Sequence, residues 1–180
     1  KIHHPVLTNE DLNRIKNADH PDLKVCELPM VFPAGGDGKA LEKALDGIFE
    51  KAEKAIADGA SILVLSDHMV DKDNAAIPSL LSTAGLHHFL IRKGIRSEAD
   101  IIVDSGEARE IMHFALLIGY GASAICPRVA FKTIQQMSDS GFFNGGLKAV
   151  DAMDNYITAI KKGLLKTFSR MGISTVRSFF

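Results

Sequence analysis

Cysteine is scarce in this sequence: Cys26 and Cys126 are the two present, and they lie far apart. Neither belongs to the short paired spacing of a zinc knuckle or a secreted disulfide framework, which excludes both classes and favours a reducing cytoplasm. Charge of one sign is equally scarce. Lys and Arg number 21, Asp and Glu 22, the net charge is -1, and neither sign forms a long block. The electrostatic footprint of a nucleic-acid or membrane-surface partner is therefore absent. Long apolar runs are missing as well. None approaches the roughly 20 residues of a membrane-crossing helix, and no apolar leader stands at the N-terminus. The expectation is a soluble, cytoplasmic protein that engages neither nucleic acid nor membrane. What is present is a chain of 180 residues, 46% hydrophobic and 24% charged, enough for one sizeable core and too little for two ordinary domains.

The hydrophobic pattern is organised in cycles. Thr8 precedes an acidic turn and a shared Leu12 and Ile15 face, predicting a short helix from about Asn9 to Lys16. A β-leaning stretch, Leu23 to Phe32, leads into the loop Pro33-Ala34-Gly35-Gly36-Asp37-Gly38. From Lys39 to Asp58, Leu41, Leu45, Ile48, Phe49, Ala52 and Ile56 recur at helical steps, and Gly59 is placed to end that helix as a left-handed cap. Ala60 to Ser66 then reads as a parallel strand covered on both faces. A second cycle runs from Pro78 to Lys93, with Gly94 as its stop and Ala99 to Asp104 as its strand. A third takes Glu107 to Ile118 as helix, Gly119 as breaker and Ala122 to Cys126 as strand, closed by Pro127. The triplets Gly59-Ala60-Ser61 and Gly121-Ala122-Ser123 echo each other at helix-to-strand joints. Leu147 to Met171 reads as a long helix, and Ile173 to Phe179 as a terminal β-leaning segment.

Repeated βα units predict an α/β fold with parallel strands. A full (β/α) barrel needs about 250 residues, and this chain supplies four or five strands. The reading is a partial or degenerate (β/α) TIM-like barrel, with a Rossmann-like open sheet as its competitor.

In such folds chemistry gathers beyond the C-terminal ends of strands. Asp67 and His68 follow one strand, and Asp104, Ser105, Gly106 and Glu107 follow the next. Asp67, His68, Asp104 and Glu107 are thus candidate acid–base groups, against the plainer reading that short acids at such turns cap loops and helices. His87, His88 and His113 invite a metal, but adjacent helical histidines diverge by about 100° and the metalloprotease spacing is absent. No metal site is expected. Gly35 to Gly38 before a helix offers free amides to a phosphate, without the lysine and threonine of a P-loop. Gly119-Tyr120-Gly121-Ala122 resembles the last helix-to-strand joint of flavin-binding barrels. The chain runs on into Cys126-Pro127-Arg128-Val129, with one cation and no glycine, so no phosphate-gripping loop is expected.

Ile62-Leu63-Val64-Leu65-Ser66-Asp67, Ile77-Pro78-Ser79-Leu80-Leu81, His87 through Arg96, Ser105-Gly106-Glu107-Ala108-Arg109-Glu110 and His113 through Ala122 stand in order and closely spaced. Together they resemble the glutamate synthase central domain, and Lys162 to Lys166 with Ser169 to Ser174 resembles its approach to the flavin domain. The resemblance implies one central-type domain over 1–180, with an incoming segment at 1–38, a βα core at 39–140 and a linker helix at 147–180. It also implies an enzyme, an oxidoreductase of glutamate biosynthesis and nitrogen assimilation, that splits glutamine at an amidotransferase domain. That enzyme channels the ammonia internally and reduces 2-iminoglutarate at FMN, so that glutamine and 2-oxoglutarate give two glutamates. FMN and an iron–sulfur cluster are implied for the neighbouring domain, and no catalytic, cofactor-binding or metal residue carries over to this segment. The implied partners are the amidotransferase and FMN-binding domains or subunits. Four positions depart from the family pattern: His68 stands where arginine is common, Met112 where histidine is, and Cys126 and Arg128 where asparagine and tyrosine are.

Three expectations follow. The first is a non-catalytic module coupling the glutaminase and flavin sites. The second is a free-standing barrel-type enzyme using Asp67, His68, Asp104 and Glu107 on a small oxo-acid or phosphate ester. The third is a regulatory module that binds a phosphate ligand at Gly35 to Gly38. Large uncovered apolar patches would mark the first, and Phe179 and Phe180 are expected to be buried.

Overall fold

The computed structural model describes residues 4–20, 22–143, 146–175 and 179. In chain order the elements are α1 (Asn9–Lys16), β1 (Val25–Pro29), β2 (Val31–Pro33), α2 (Gly38–Ala57), β3 (Ile62–Ser66), β4 (Asn74–Ala76) and α3 (Ser79–Lys93). A single 3-10 turn (Arg96–Glu98), β5 (Asp100–Asp104), α4 (Ile111–Gly119), β6 (Ala124–Cys126), α5 (Arg128–Asp139) and α6 (Ala149–Arg170) complete the chain. No described helix is long and apolar enough to cross a membrane.

Four strands form one parallel sheet in the order β1-β3-β5-β6, with Leu63 opposite Ile101 and Val103 opposite Ile125. Beyond β6, Val6 adds a parallel bridge to Ile125, through Leu7 N–H donating to Ile125 O at 2.8 Å and Ile125 N–H to Pro5 O at 2.7 Å. Strands entering the sheet in chain order, with no reversal, are singly wound. A Rossmann-like sheet would contain a switch point, and none occurs among the four named strands; the sheet is an open α/β arc that, among the described residues, does not close into a barrel.

Side chains alternate across the sheet. Leu63, Leu65, Ile101, Val103 and Ile125 face the helical layer and form the main core with Leu86, Leu90, Phe114 and Ile118. Val64, Ile102, Ala124 and Cys126 face the other way, where Leu7 and Leu12 cover them. Helix α1 therefore lies across this second face. Its start is fixed by a capping box, with the Thr8 hydroxyl accepting from Asp11 N–H at 3.1 Å and the Asp11 carboxylate accepting from Thr8 N–H at 3.1 Å. Its end reaches the opposite sheet edge, where Lys16 Nζ sits 3.0 Å from Glu27 on β1.

Several boundaries differ from expectation. The stretch 23–32 is two strands, because Met30 changes sheets: its N–H donates to Ser66 O at 2.7 Å and its carbonyl accepts from Ile77 N–H at 2.9 Å. Strand β2 then pairs antiparallel with β4. Helix α4 starts at Ile111 rather than Glu107, since residues 105–107 are held in a loop by bonds described below. Gly119 is its last helical residue, and Gly121, at φ 103, makes the break. Helix α5 has no counterpart in the sequence reading. Phe179 packs on Phe168 with ring centroids 4.6 Å apart. No strand forms at 173–175, and residues 176–178 and Phe180 lie outside the described set.

Candidate functional site at the strand ends

The sheet ladder continues past its strands, and this fixes the rim. Asp67 N–H donates to Asp104 O at 3.2 Å, and Ser105 N–H to Cys126 O at 3.2 Å. Asp67, His68 and Asp104 are thereby brought together. Arg128 joins them from the first turn of α5, pairing with Asp67 and placing Nε 3.5 Å from Asp104 Oδ1.

The carboxylates are engaged to different degrees, and Asp104 Oδ1 has the Arg128 ion pair but no hydrogen bond. Asp67 accepts from Ser105 Oγ at 2.8 Å and from Gly106 N–H at 2.8 Å, besides its pair with Arg128. Asp104 is 1% exposed and accepts from Ser66 Oγ at 3.2 Å, with His68 Nε2 at 3.2 Å from the same oxygen. Burial holds the Asp104 carboxyl above the ordinary carboxylate range, against the opposing pull of His68, Arg128, Lys16 and the Ser66 hydroxyl. Glu107 stands apart from the other three. Its Oε2 accepts from Ser79 N–H at 2.7 Å and so caps α3, whose N-cap is Pro78 and has no side-chain acceptor of its own. Of the four candidates, His68, at 53%, and Glu107 are exposed, while Asp67 and Asp104 are buried.

Cys126 faces α1, with Sγ donating to Asn9 Oδ1 at 3.3 Å. Its thiol is pushed up to about 12, first by burial and then by Asp104, which makes it a poor nucleophile at neutral pH. In sequence Arg128 stands as a lone cation after Cys126-Pro127. The signal for its role was a cation just past the third strand, opposite acids ending the two strands before it.

The remaining candidates are dispersed. Among the described residues no cluster of His, Cys, Asp and Glu could hold a metal. His113 Nδ1 accepts from Arg109 N–H at 3.1 Å. His87 is 8% exposed and its Nδ1 accepts from Arg96 Nε at 2.9 Å, while Arg96 also donates to Ala99 O and Gly121 O, each at 2.8 Å. In the glycine loop, Asp37 is itself the N-cap of α2, its side chain accepting from Ala40 N–H at 3.0 Å. A phosphate there would face that carboxylate.

His87 carries a pH dependence. Burial first, then the Arg96 charge, lowers its pKa from the ordinary 6.5. A histidine with a depressed folded pKa contributes stability that is present above its unfolded pKa and is lost as pH falls below it. Urea unfolding at about pH 7.5 and about pH 5.5 is expected to show a smaller loss on acidification for His87→Gln than for the parent chain. Equal losses would assign the slope to other groups.

The glutamate synthase central domain family profile matches residues 1–180. The chain is 44% identical over 179 residues to the large chain of glutamate synthase [NADPH] from Bacillus subtilis, covering 99% of this chain and 11% of that one. It is 33% identical to glutamate synthase [NADH] from Schizosaccharomyces pombe, covering 97% and 8%. With the ferredoxin-dependent glutamate synthase of Pyropia yezoensis the identity is 38%, covering 99% and 12%. The chain thus spans about a tenth of the length of these relatives. Among solved structures, a flavocytochrome b2 variant with sulfite bound superposes with a TM-score of 0.60 at 17% identity, covering 96% of this chain and 37% of that one. A second variant, with benzoylformate, gives 0.57 at 17% identity over 73% and 31%. These likenesses at low identity bear on the fold alone, and agree with the α/β arrangement described above. Matched over its whole length by the family profile, this chain belongs to the glutamate synthase central domain family.

Proposed function

We propose that this chain is a non-catalytic module of glutamate synthase that holds a glutamine-dependent amidotransferase domain and an FMN-binding synthase domain in register. The observation that carries this reading is the engagement of the strand-end carboxylates within the fold. Asp67 has three donors, Asp104 is buried against Arg128 and His68, and Glu107 caps a helix. A general acid or base must reach a substrate proton; the Asp67 and Asp104 carboxylates are buried and tie β3, β5 and α5 together, and Glu107, though exposed, is held on the N-terminus of α3.

The rim does not fit a flavin phosphate. Arg128 is engaged by two carboxylates, and an anion placed beside it would meet Asp67 and Asp104. The sheet face a ligand would approach is covered by Leu7 and Leu12. On this reading FMN and the iron–sulfur cluster belong to the neighbouring domain, as the family resemblance implies, and cytoplasmic operation suits the two free cysteines.

The test is flavin titration of the isolated chain by fluorescence quenching, repeated with a flavin-domain chain present. No quenching alone, together with a complex once the partner is added, is the expected result. Stoichiometric FMN binding by this chain alone would instead support a free-standing barrel enzyme.

A further inference from the structure

Helix α4 has an unusual composition for a surface helix. Its sequence, Ile111 to Gly119, contains no Asp, Glu, Lys or Arg. The exposed face of α2, by contrast, carries Glu42, Lys43, Asp46 and Glu50. A helix apolar all round belongs inside a structure. Its inner side is filled by Phe114, Ala115, Leu117 and Ile118. Its outer side bears Met112, Leu116 and, one residue past the helix, Tyr120, at 57%, 41% and 43% exposure. Their four-residue spacing puts them in one stripe. Beside the stripe a half-open cleft of about 480 Å3 opens between α3 and α4, floored by Leu80, Leu116 and Leu117 and edged by Glu107, Arg109 and His113.

We infer that this stripe and cleft seat an apolar segment of the same synthase, contributed by polypeptide outside residues 1–180. The inference deepens the scaffold reading and rests on it. The occupant's chemistry follows from the surface: aliphatic or aromatic side chains at helical spacing, one of them entering the cleft, with polar groups meeting Glu107 and Arg109 at the rim. The choice of partner follows from the relatives, in which the matched region is 8–12% of the polypeptide. Neighbouring segments held on the same assembly act at effective concentrations that a second free copy does not reach. A broad, open apolar surface continuous with a cleft suits a protein segment better than a small molecule, whose sites are enclosed on most sides.

The experiment places a cysteine at Leu116 and measures maleimide labelling of that peptide by mass spectrometry, with each rate referred to the same variant in urea. Peptide-level detection separates it from Cys26 and Cys126. In the isolated chain Leu116→Cys is expected to label near the unfolded rate, and in the complete synthase about 100-fold more slowly, as a site reached by local opening does. Equal rates in the two contexts overturn the inference. Slow labelling of the isolated chain that quickens on dilution also overturns it, because a second copy would then be the cover. Flavin titration does not depend on Leu116, so the scaffold reading and this docking face stand or fall separately.

Discussion

Replacing Arg128 with methionine is expected to destabilise the fold by about 3 kcal/mol at neutral pH, seen as a fall of roughly 10 °C in melting temperature for a chain of this length. Arginine and methionine fill similar space, so the loss is mainly electrostatic. The Arg128 side chain is 22% exposed, while Asp67 and Asp104 are at 8% and 1%. That partial exposure puts the effect at the lower end of the range for breaking a buried pair. Without the guanidinium two buried carboxylates face each other at the rim. The acid response gives the mechanism its signature. Asp104 has a folded pKa raised above 3.8. Such a group contributes stability that is fully present below its unfolded pKa and is lost as pH rises through its folded one. Arg128→Met removes one of the charges that oppose the rise, so the gap between variant and parent narrows as the solution is acidified. Adding Asp104→Asn to Arg128→Met removes the stranded charge and recovers part of the loss. A variant that melts within about 1 °C of the parent at neutral pH would show that the cluster does not hold the strand ends together.

The cyclic part of this architecture was legible because each cycle is marked locally. Helix α2 announces itself by apolar spacing and α3 by Pro78 at its start, and both stop at glycines with positive φ, Gly59 at 90° and Gly94 at 75°. Strands β3 and β5 are short apolar runs covered on both faces. Thr8 ahead of an acidic turn placed α1 at about Asn9 to Lys16, where it lies. What escaped detection depends on distant partners. Nothing local to Asn9–Lys16 says that it crosses the sheet from the Val6 edge to Glu27. Met30 splits one apparent strand because its two backbone groups bond to different sheets. Helix α4 begins late because Gly106 donates to Asp67 and Glu107 is drawn to the N-terminus of α3. Helix α5 is the exception: Phe131 is buried and Ile134 and Met137 half-buried at helical steps, a local signal that the sequence reading passes over. At the rim, the acids were found by their place after strands. Their neutraliser, Arg128, lies 61 positions from Asp67 in sequence, and its one local signal is its place just past the next strand.

The echo between residues 59–61 and 121–123 leads to a second large effect, through a contrast. Both glycines close a helix in the same way. Gly59 N–H donates to Ile56 O and Ala60 N–H to Ala55 O; Gly121 N–H donates to Ile118 O and Ala122 N–H to Leu117 O. Both have positive φ, 90° and 103°, where a Cβ costs about 1–2 kcal/mol. Their surroundings differ. A methyl at Gly59 meets nothing within 4 Å, whereas one at Gly121 runs into the His87 ring. That ring cannot easily yield, since Arg96 holds both His87 Nδ1 and the Gly121 carbonyl. Overpacking adds about 1–3 kcal/mol. Gly59→Ala is therefore expected to lower the melting temperature by roughly 5 °C, and Gly121→Ala by roughly 10 °C or more. The clash also predicts coupling. In the His87→Ala background, where room is made, Gly121→Ala should cost about as much as Gly59→Ala does in the parent chain. Equal losses for the two alanine variants in the parent chain would mean that His87 moves aside freely, and that the Arg96 clamp does not fix this helix-to-strand joint.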